Sequence, residues 1–238
     1  TAVNDVPVIA AINDTTTNED SALELLLSAT DSDGDAVTFT AVSSNTDNVS
    51  TDISGSLLTL TPSLNFNGSV TISVTANDGT EDSNIETFTL TVSPVNDAPV
   101  LSAIEDTTTQ EEVAVELTLT ATDVDGDAVT FTAVSSDTVN ISTNISGSLL
   151  TLTPSLNFNG SAIITVSAND GTEDSNTETF TLTVSPVNDA PVMVALEDVT
   201  TLEDESLGVP LSATDSDGDA VTFTALSSDT DNVSTDIS

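Results

Sequence analysis

The chain has 238 residues, 40 of them Asp or Glu and none Lys, Arg or His, which leaves a formal charge of −40. With no side-chain cation it forms no side-chain ion pair, lacks the groups that neutralise nucleic-acid phosphate, and is repelled by an anionic membrane surface. Cys, Tyr and Trp are missing as well, so triads, Schiff bases and thiolate nucleophiles are excluded, as are lysine–asparagine cross-links.

Exposed charges are screened over roughly 8–10 Å at ~0.1–0.15 M salt. Carboxylates held closer than that call for a bound cation, a raised pKa or separation, so the composition asks for a cationic environment. No run of about 18 apolar residues exists that would span a bilayer as a helix. The acid load and the lack of cysteine fit a secreted chain that folds without disulfides.

In chain order, Val3–Val8 reads VNDVPV and returns as VNDAPV at Val95–Val100 and Val187–Val192, each step 92 residues. The loop DSDGDAVTF at Asp31 returns at Asp123 and Asp215 in the same register, and GSLLTLTPSLNFNGS at Gly55–Ser69 recurs unchanged at Gly147–Ser161. Such self-similarity marks a tandem array. The predicted units are 1–95, 96–187 and 188–238.

Within a unit the apolar period is 2. Leu23, Leu25, Leu27 and Ala29 share one face, as do Val37, Phe39 and Ala41, then Val70, Ile72, Val74 and Ala76, then Phe88, Leu90 and Val92. Asp/Asn/Gly turns separate the runs. Seven strands are expected, near 6–12, 21–29, 36–43, 48–54, 56–61, 69–77 and 85–92, the pattern of an all-β, immunoglobulin-like sandwich. The third unit is expected to hold its first four strands, with the last three supplied by a continuing chain or by a neighbour.

The acidic loop Asp31-Ser-Asp33-Gly-Asp35 places hard oxygen ligands at alternate positions around a turn-permitting glycine. That pattern suits Ca²⁺, which takes six to eight oxygens. It equally describes a solvated Asp/Gly turn. Recurrence in three units of a chain without cations favours the ion. The helix-loop-helix calcium hand is a poor match, because no flanking helices or final Glu are in place.

The combination of ATDxDGDAVTF, VxANDG and a closing VNDAPV resembles the cadherin-like repeats of bacterial giant adhesins, along the whole chain. The resemblance implies tandem seven-stranded sandwiches in an elongated array, with Ca²⁺ stiffening each junction. Carried over, the first junction would use Glu19, Asp20, Asn96 (through its carbonyl), Asp97, Asp123, Asp125 and Asp170. The second would use Glu111, Glu112, Asn188, Asp189, Asp215 and Asp217. Asn4, Asp5, Asp31, Asp33 and Asp78 would serve a junction with a preceding unit. Pro94 and Pro186 depart from the animal cadherin linker, and Asn65, Asn67, Asn157 and Asn159 stand where an acidic pair is expected. One or two ions per junction are therefore expected.

The motifs Asn48-Val-Ser50, Asn67-Gly-Ser69 and Asn140-Ile-Ser142 match the glycosylation sequon weakly. Paired carboxylates could in principle cleave glycosides, but these lie on sandwich loops, and no enzyme is expected. Three functions compete: a stalk in an extracellular surface adhesin, a subunit of a filament, sheath or biofilm matrix, and a glycan- or repeat-binding module. Expected partners are neighbouring repeats and other copies of the chain.

Overall fold

A computed structural model describes residues 3–237, and every regular element in it is a strand. The chain divides into two compact units, Thr1–Asp97 and Ala98–Ser238. The division falls inside the Asn-Asp-Ala-Pro linker.

In the first unit, β1 (Val8–Ile9) is followed by β2 (Thr15–Asn18), β3 (Leu23–Leu26) and β4 (Ala29–Thr30). Then come β5 (Thr38–Ser43), β6 (Val49–Ser54), β7 (Leu57–Pro62), β8 (Gly68–Asn77) and β9 (Glu86–Ser93). One sheet has the order β2-β9-β8-β5 and the other β3-β7-β6, while β1 and β4 form a separate ribbon. The alternation predicted for β8 holds: Val70, Ile72, Val74 and Ala76 are buried between exposed or half-buried neighbours. They meet Leu58 and Leu60 of β7 and Phe88, Leu90 and Val92 of β9 in one apolar core. Burying each large aliphatic side chain contributes about 1.5–3 kcal/mol, and here it replaces the disulfide that the chain lacks.

The predicted strand over 6–12 is interrupted. After β1 the chain leaves the β4 ribbon, crosses the sandwich edge and re-forms as β2, parallel to β9 with Thr15 opposite Leu90. Asp14 secures the crossing, its Oδ1 accepting the Thr89 N–H at 2.7 Å. The Thr-Thr-Thr-Asn run of β2 carries no apolar alternation, so periodicity gave no sign of it.

The outer face of the four-stranded sheet carries one carboxylate, Asp82, bridged to Asn77 at its end with the Asn77 amide donating to Asp82 Oδ1 at 2.8 Å. It presents Thr16, Thr38, Thr40, Ser69, Thr71, Ser73, Thr75, Thr87, Thr89 and Thr91. The other acid in this sheet, Glu86, opens β9 opposite Val74 on the inward side.

The second unit repeats this plan with β10 (Val100–Leu101), β11 (Thr107–Gln110), β12 (Val115–Thr118), β13 (Ala121–Thr122) and β14 (Thr130–Ser135). It continues with β15 (Ile141–Ser146), β16 (Leu149–Pro154), β17 (Gly160–Asn169) and β18 (Glu178–Ser185). Its sheets are β11-β18-β17-β14 and β12-β16-β15, closed around Ile141, Leu150, Leu152, Ile164 and Leu182.

The stretch after Val187 does not form the four strands expected of it. Among the described residues it holds only β19 (Val192–Met193) paired with β20 (Ala213–Thr214). The register explains this. The equivalents of β2, β3, β5 and β6 in the first unit all pair with β7, β8 or β9, whereas β1 and β4 pair with each other. Only the latter ladder is complete within the residues after Val187, and Leu202, Leu207 and Leu226 stay exposed.

Candidate metal centre

Each DxDGD loop is folded by its own first carboxylate. Asp31 Oδ1 accepts the N–H groups of Asp33 and Asp35 at 2.9 and 3.1 Å, with Gly34 at φ 82° turning the chain between them. Asp215 does the same for Asp217 and Asp219 at 3.0 and 3.1 Å, and Asp123 for Asp127 at 3.0 Å. This leaves the second oxygen of Asp31 and of Asp123 buried with no hydrogen-bond donor.

The linker residues dock on these loops. Asp33 Oδ2 accepts the Asp5 N–H at 2.7 Å, and Asn4 donates its side-chain amide to Asp78 Oδ2 at 3.0 Å. Asp78 Oδ1 also accepts from Thr80 and Glu81 N–H at 2.7 and 2.8 Å. The Glu81 N–H, then the Asn4 amide and the Thr80 N–H, hold its carboxyl below the ordinary 3.8. The predicted set Asn4, Asp5, Asp31, Asp33 and Asp78 is therefore linked at one end of the first sandwich. In the second unit Asp170 Oδ1 accepts from Thr172 and Glu173 at 2.6 and 2.7 Å.

The opposite end of each sandwich contributes a buried glutamate. Glu19 is 3% exposed; its Oε1 accepts the Val95 N–H at 2.5 Å and its Oε2 has no donor. Glu111 is its equivalent, 5% exposed and accepting from the Val187 N–H. The next residue turns left-handed in each copy: Asp20 at φ 58°, Glu112 at 64°, Asp204 at 66°. For a glutamate this backbone is strained by about 1–3 kcal/mol, and it turns two consecutive acids onto the end of the sandwich. Asp20 Oδ1 then accepts the Asn65 N–H at 2.9 Å.

Around the second linker four side chains from different segments converge. With its amide oriented to satisfy its neighbours, Asn157 donates to Glu112 Oε1 at 2.9 Å and to Asp189 Oδ2 at 3.2 Å, and accepts from Ser216 Oγ at 2.8 Å. Asp189 donates its N–H to Asp217 Oδ2 at 2.7 Å, and Asn188 turns its amide onto the Asp189 carbonyl at 2.9 Å. Glu111, Glu112, Asn188, Asp189, Asp215 and Asp217 thus form one connected set. Asn157 and Ser216 were not among the predicted ligands; the asparagine was visible in the sequence only as a departure from an acidic pattern. Of the first junction's residues, Glu19, Asp20, Asn96 and Asp97 belong to the first unit, and Asp123, Asp125 and Asp170 to the second.

The donor set is all oxygen, which fits a hard divalent cation. The orphaned oxygens of Glu19, Asp31 and Asp123 fit it as well, because a buried anionic oxygen without a donor is strongly disfavoured. Among the described residues, no three acidic side chains converge closely enough to hold an ion by themselves. Binding would draw on amide, carbonyl or hydroxyl oxygens as well. Among the described residues, no helix is long and apolar enough to cross a membrane.

The bacterial Ig domain profile matches residues 4–91 and 96–183. Among curated proteins the chain is 33% identical over 105 residues to chitinase A of Pseudoalteromonas piscicida, covering 43% of this chain and 13% of that protein. Among solved structures it is similar to human protocadherin-24 EC1-2, with TM-score 0.54 and 18% identity over 77% of this chain and 100% of that one. It is also similar to human CDH23 EC21-23, with TM-score 0.51 and 15% identity over 89% of this chain and 80% of that one. Two profile matches in register, on two sandwiches whose strand order and core are copies of one another, place the chain in the bacterial Ig domain family, as tandem repeats of cadherin-like fold.

Proposed function

We propose that the chain is a spacer segment of an extracellular, adhesin-type surface protein, in which Ca²⁺ stiffens the joints between repeats. The observation that carries this reading is the convergence of Glu112 and Asn157 with Asp189 and Ser216, which draws side chains from both sides of the Asn188–Asp189 linker onto one point. Glu111, Glu112, Asn157, Asp189, Asp215 and Asp217 would hold the ion at that joint. The 92-residue register assigns Glu19, Asp20, Asn65, Asn96, Asp97, Asp123, Asp125 and Asp170 the corresponding role, and Asn4, Asp5, Asp31, Asp33 and Asp78 half of a further one. Bound calcium would neutralise the gathered carboxylates and cross-link them. The chain's own residues set the hinge by fixing the linker N–H groups of Val95 and Val187 on buried glutamates.

Such a segment has no catalytic task. The matched stretch makes up 13% of the chitinase relative, which supports the repeat as an accessory part of larger proteins. Calorimetric titration with Ca²⁺, paired with solution scattering in calcium and in chelator, tests the reading. Saturable binding of one or two ions per joint and a loss of extension on chelation are expected. Identical scattering profiles would falsify it.

The hydroxyl-rich outer face of the four-stranded sheet, with Asp82 at its end, favours a second reading, a subunit of an extracellular filament or matrix. In a chain this acidic, strands that present hydroxyls outward let another copy approach with less like-charge repulsion than the acidic loops would. Electron microscopy separates the two readings: isolated threads support the spacer, laterally packed bundles the filament.

A further inference from the structure

Asn157 stands, like Asn65 one repeat earlier, as an uncharged amide where an acidic residue was expected. Its backbone is left-handed at φ 54°, a conformation that Asn and Asp tolerate better than other side chains. In the amide orientation that satisfies its neighbours, its nitrogen lies 2.9 Å from Glu112 Oε1 and 3.2 Å from Asp189 Oδ2, and its oxygen 2.8 Å from Ser216 Oγ. Two carboxylates from opposite sides of a hinge are thus bridged by one NH₂ group.

In this chain that bridge has few substitutes. Without Lys, Arg or His, only amides, hydroxyls and backbone N–H groups can donate a hydrogen bond to a carboxylate. Of these, the side-chain NH₂ carries two hydrogens on one nitrogen and can satisfy two acceptors at once. Turned by 180°, the same amide would point its oxygen at both carboxylates, an arrangement that only a cation among the three oxygens makes favourable.

We propose that Asn157 is a two-way latch. In the metal-free chain its NH₂ holds Glu112 and Asp189 together in place of a cation. When a divalent cation enters, the amide rotates and offers Oδ1 to the ion. The second half of this proposal rests on the calcium reading above; the first half does not. The latch lets the joint exist without metal in a chain whose like charges would otherwise drive it open, and lowers the energetic contrast between the metal-free and loaded states.

The test uses the full chain and two variants, with amide hydrogen exchange and side-chain amide NMR in chelator and in calcium. Asn157→Asp keeps the left-handed backbone but replaces both donors by a third carboxylate. Ser216→Val removes the hydroxyl that orients the amide, and valine already stands at the equivalent position, Val124. In chelator, Asn157→Asp is expected to lower protection of the Asp189 N–H at least tenfold, and Ser216→Val several-fold. The Asn157 NH₂ resonances of the parent chain should be protected from exchange in chelator and lose that protection in calcium. Asn157→Asp should bind Ca²⁺ at least tenfold more tightly, because it adds an anionic ligand.

Unchanged protection of Asp189 in metal-free Asn157→Asp overturns the latch, whatever calcium does. If protection falls but the parent chain binds no Ca²⁺, the metal-free bridge stands, and the rotation and the calcium reading fail together. Retained global unfolding midpoints in both variants show that the sandwiches are intact.

Discussion

Asp189 donates its backbone N–H to Oδ2 of Asp217 at 2.7 Å, and Asp5 and Asp33 make the same bond at the same distance in the first unit. Each tie fixes the linker to the acidic loop of the unit it leads into, using the oxygens that a cation would also recruit. Asp217→Ala removes both tie and charge, whereas Asp217→Asn keeps an acceptor and removes only the charge. Both variants should weaken Ca²⁺ binding about tenfold, equivalent to ~1.4 kcal/mol. Only the alanine variant should speed hydrogen exchange at the Asp189 amide. Equal exchange in the two would mean that the bond does not hold the linker.

The crossing strand provides a contrast unconnected to metal. Asp14 and Asp106 accept the N–H groups of Thr89 and Thr181 at 2.7 and 2.6 Å, supplying the acceptor that those amides lack beside the crossover. Asp14→Ala leaves the Thr89 amide to solvent and should destabilise the first sandwich by about 1 kcal/mol. For a domain of this size that lowers Tm by about 4–8 °C. Differential scanning calorimetry should give the same loss in calcium and in chelator; a loss seen only in calcium would tie Asp14 to the metal joint instead.

How far the molecule was readable from its sequence follows from which residues carry a pattern. The alternation of Val70, Ile72, Val74 and Ala76 is enough to set β8, because a strand buried on one face must repeat every second residue. The β2 run Thr15–Asn18 buries no large apolar side chain, so it left no trace. The acid motif drew attention to Asp31, Asp33, Asp123 and Asp217 because carboxylates are conspicuous. Asn157 and Ser216 escaped because their role depends on a fold-generated meeting of four segments. The left-handed turn at Glu112 was hidden for the opposite reason: glutamate is a residue from which no turn is expected.

Acid should act on Asp78 late. Its carboxyl is held below 3.8 chiefly by the Glu81 N–H, with Asn4 next. A lowered folded-state pKa means that the group's contribution is complete above the unfolded value and is lost as pH falls through the folded one. Carboxyl ¹³C titration should give a midpoint below 3.8 for Asp78, with the Asn4–Asp78 tie intact until then. Asn4→Ala should move the midpoint only part of the way back, since the Glu81 bond remains. A midpoint unaffected by Asn4→Ala would mean that the tie is not populated in solution.

The stretch after Val187 makes the pairing rule testable by addition. Its segments at 199–202, 207–210 and 222–227 correspond to β2, β3 and β5, whose partners in the first unit are β9, β7 and β8. If missing partners alone keep these segments from pairing, supplying them should be sufficient. Appending a copy of residues 147–187 after Ser238 restores the equivalents of β7, β8 and β9 in register. The extended chain should then show a further cooperative unfolding transition. Its amides at Thr222–Leu226, unpaired here, should gain protection on the order of 10³-fold or more, as befits a domain stable by about 5 kcal/mol or above. The same appended residues in shuffled order control for length. Protection without the true copy, or none with it, would show that Thr222–Leu226 do not depend on a β8-type partner, and the 92-residue register would lose its structural meaning in the third repeat.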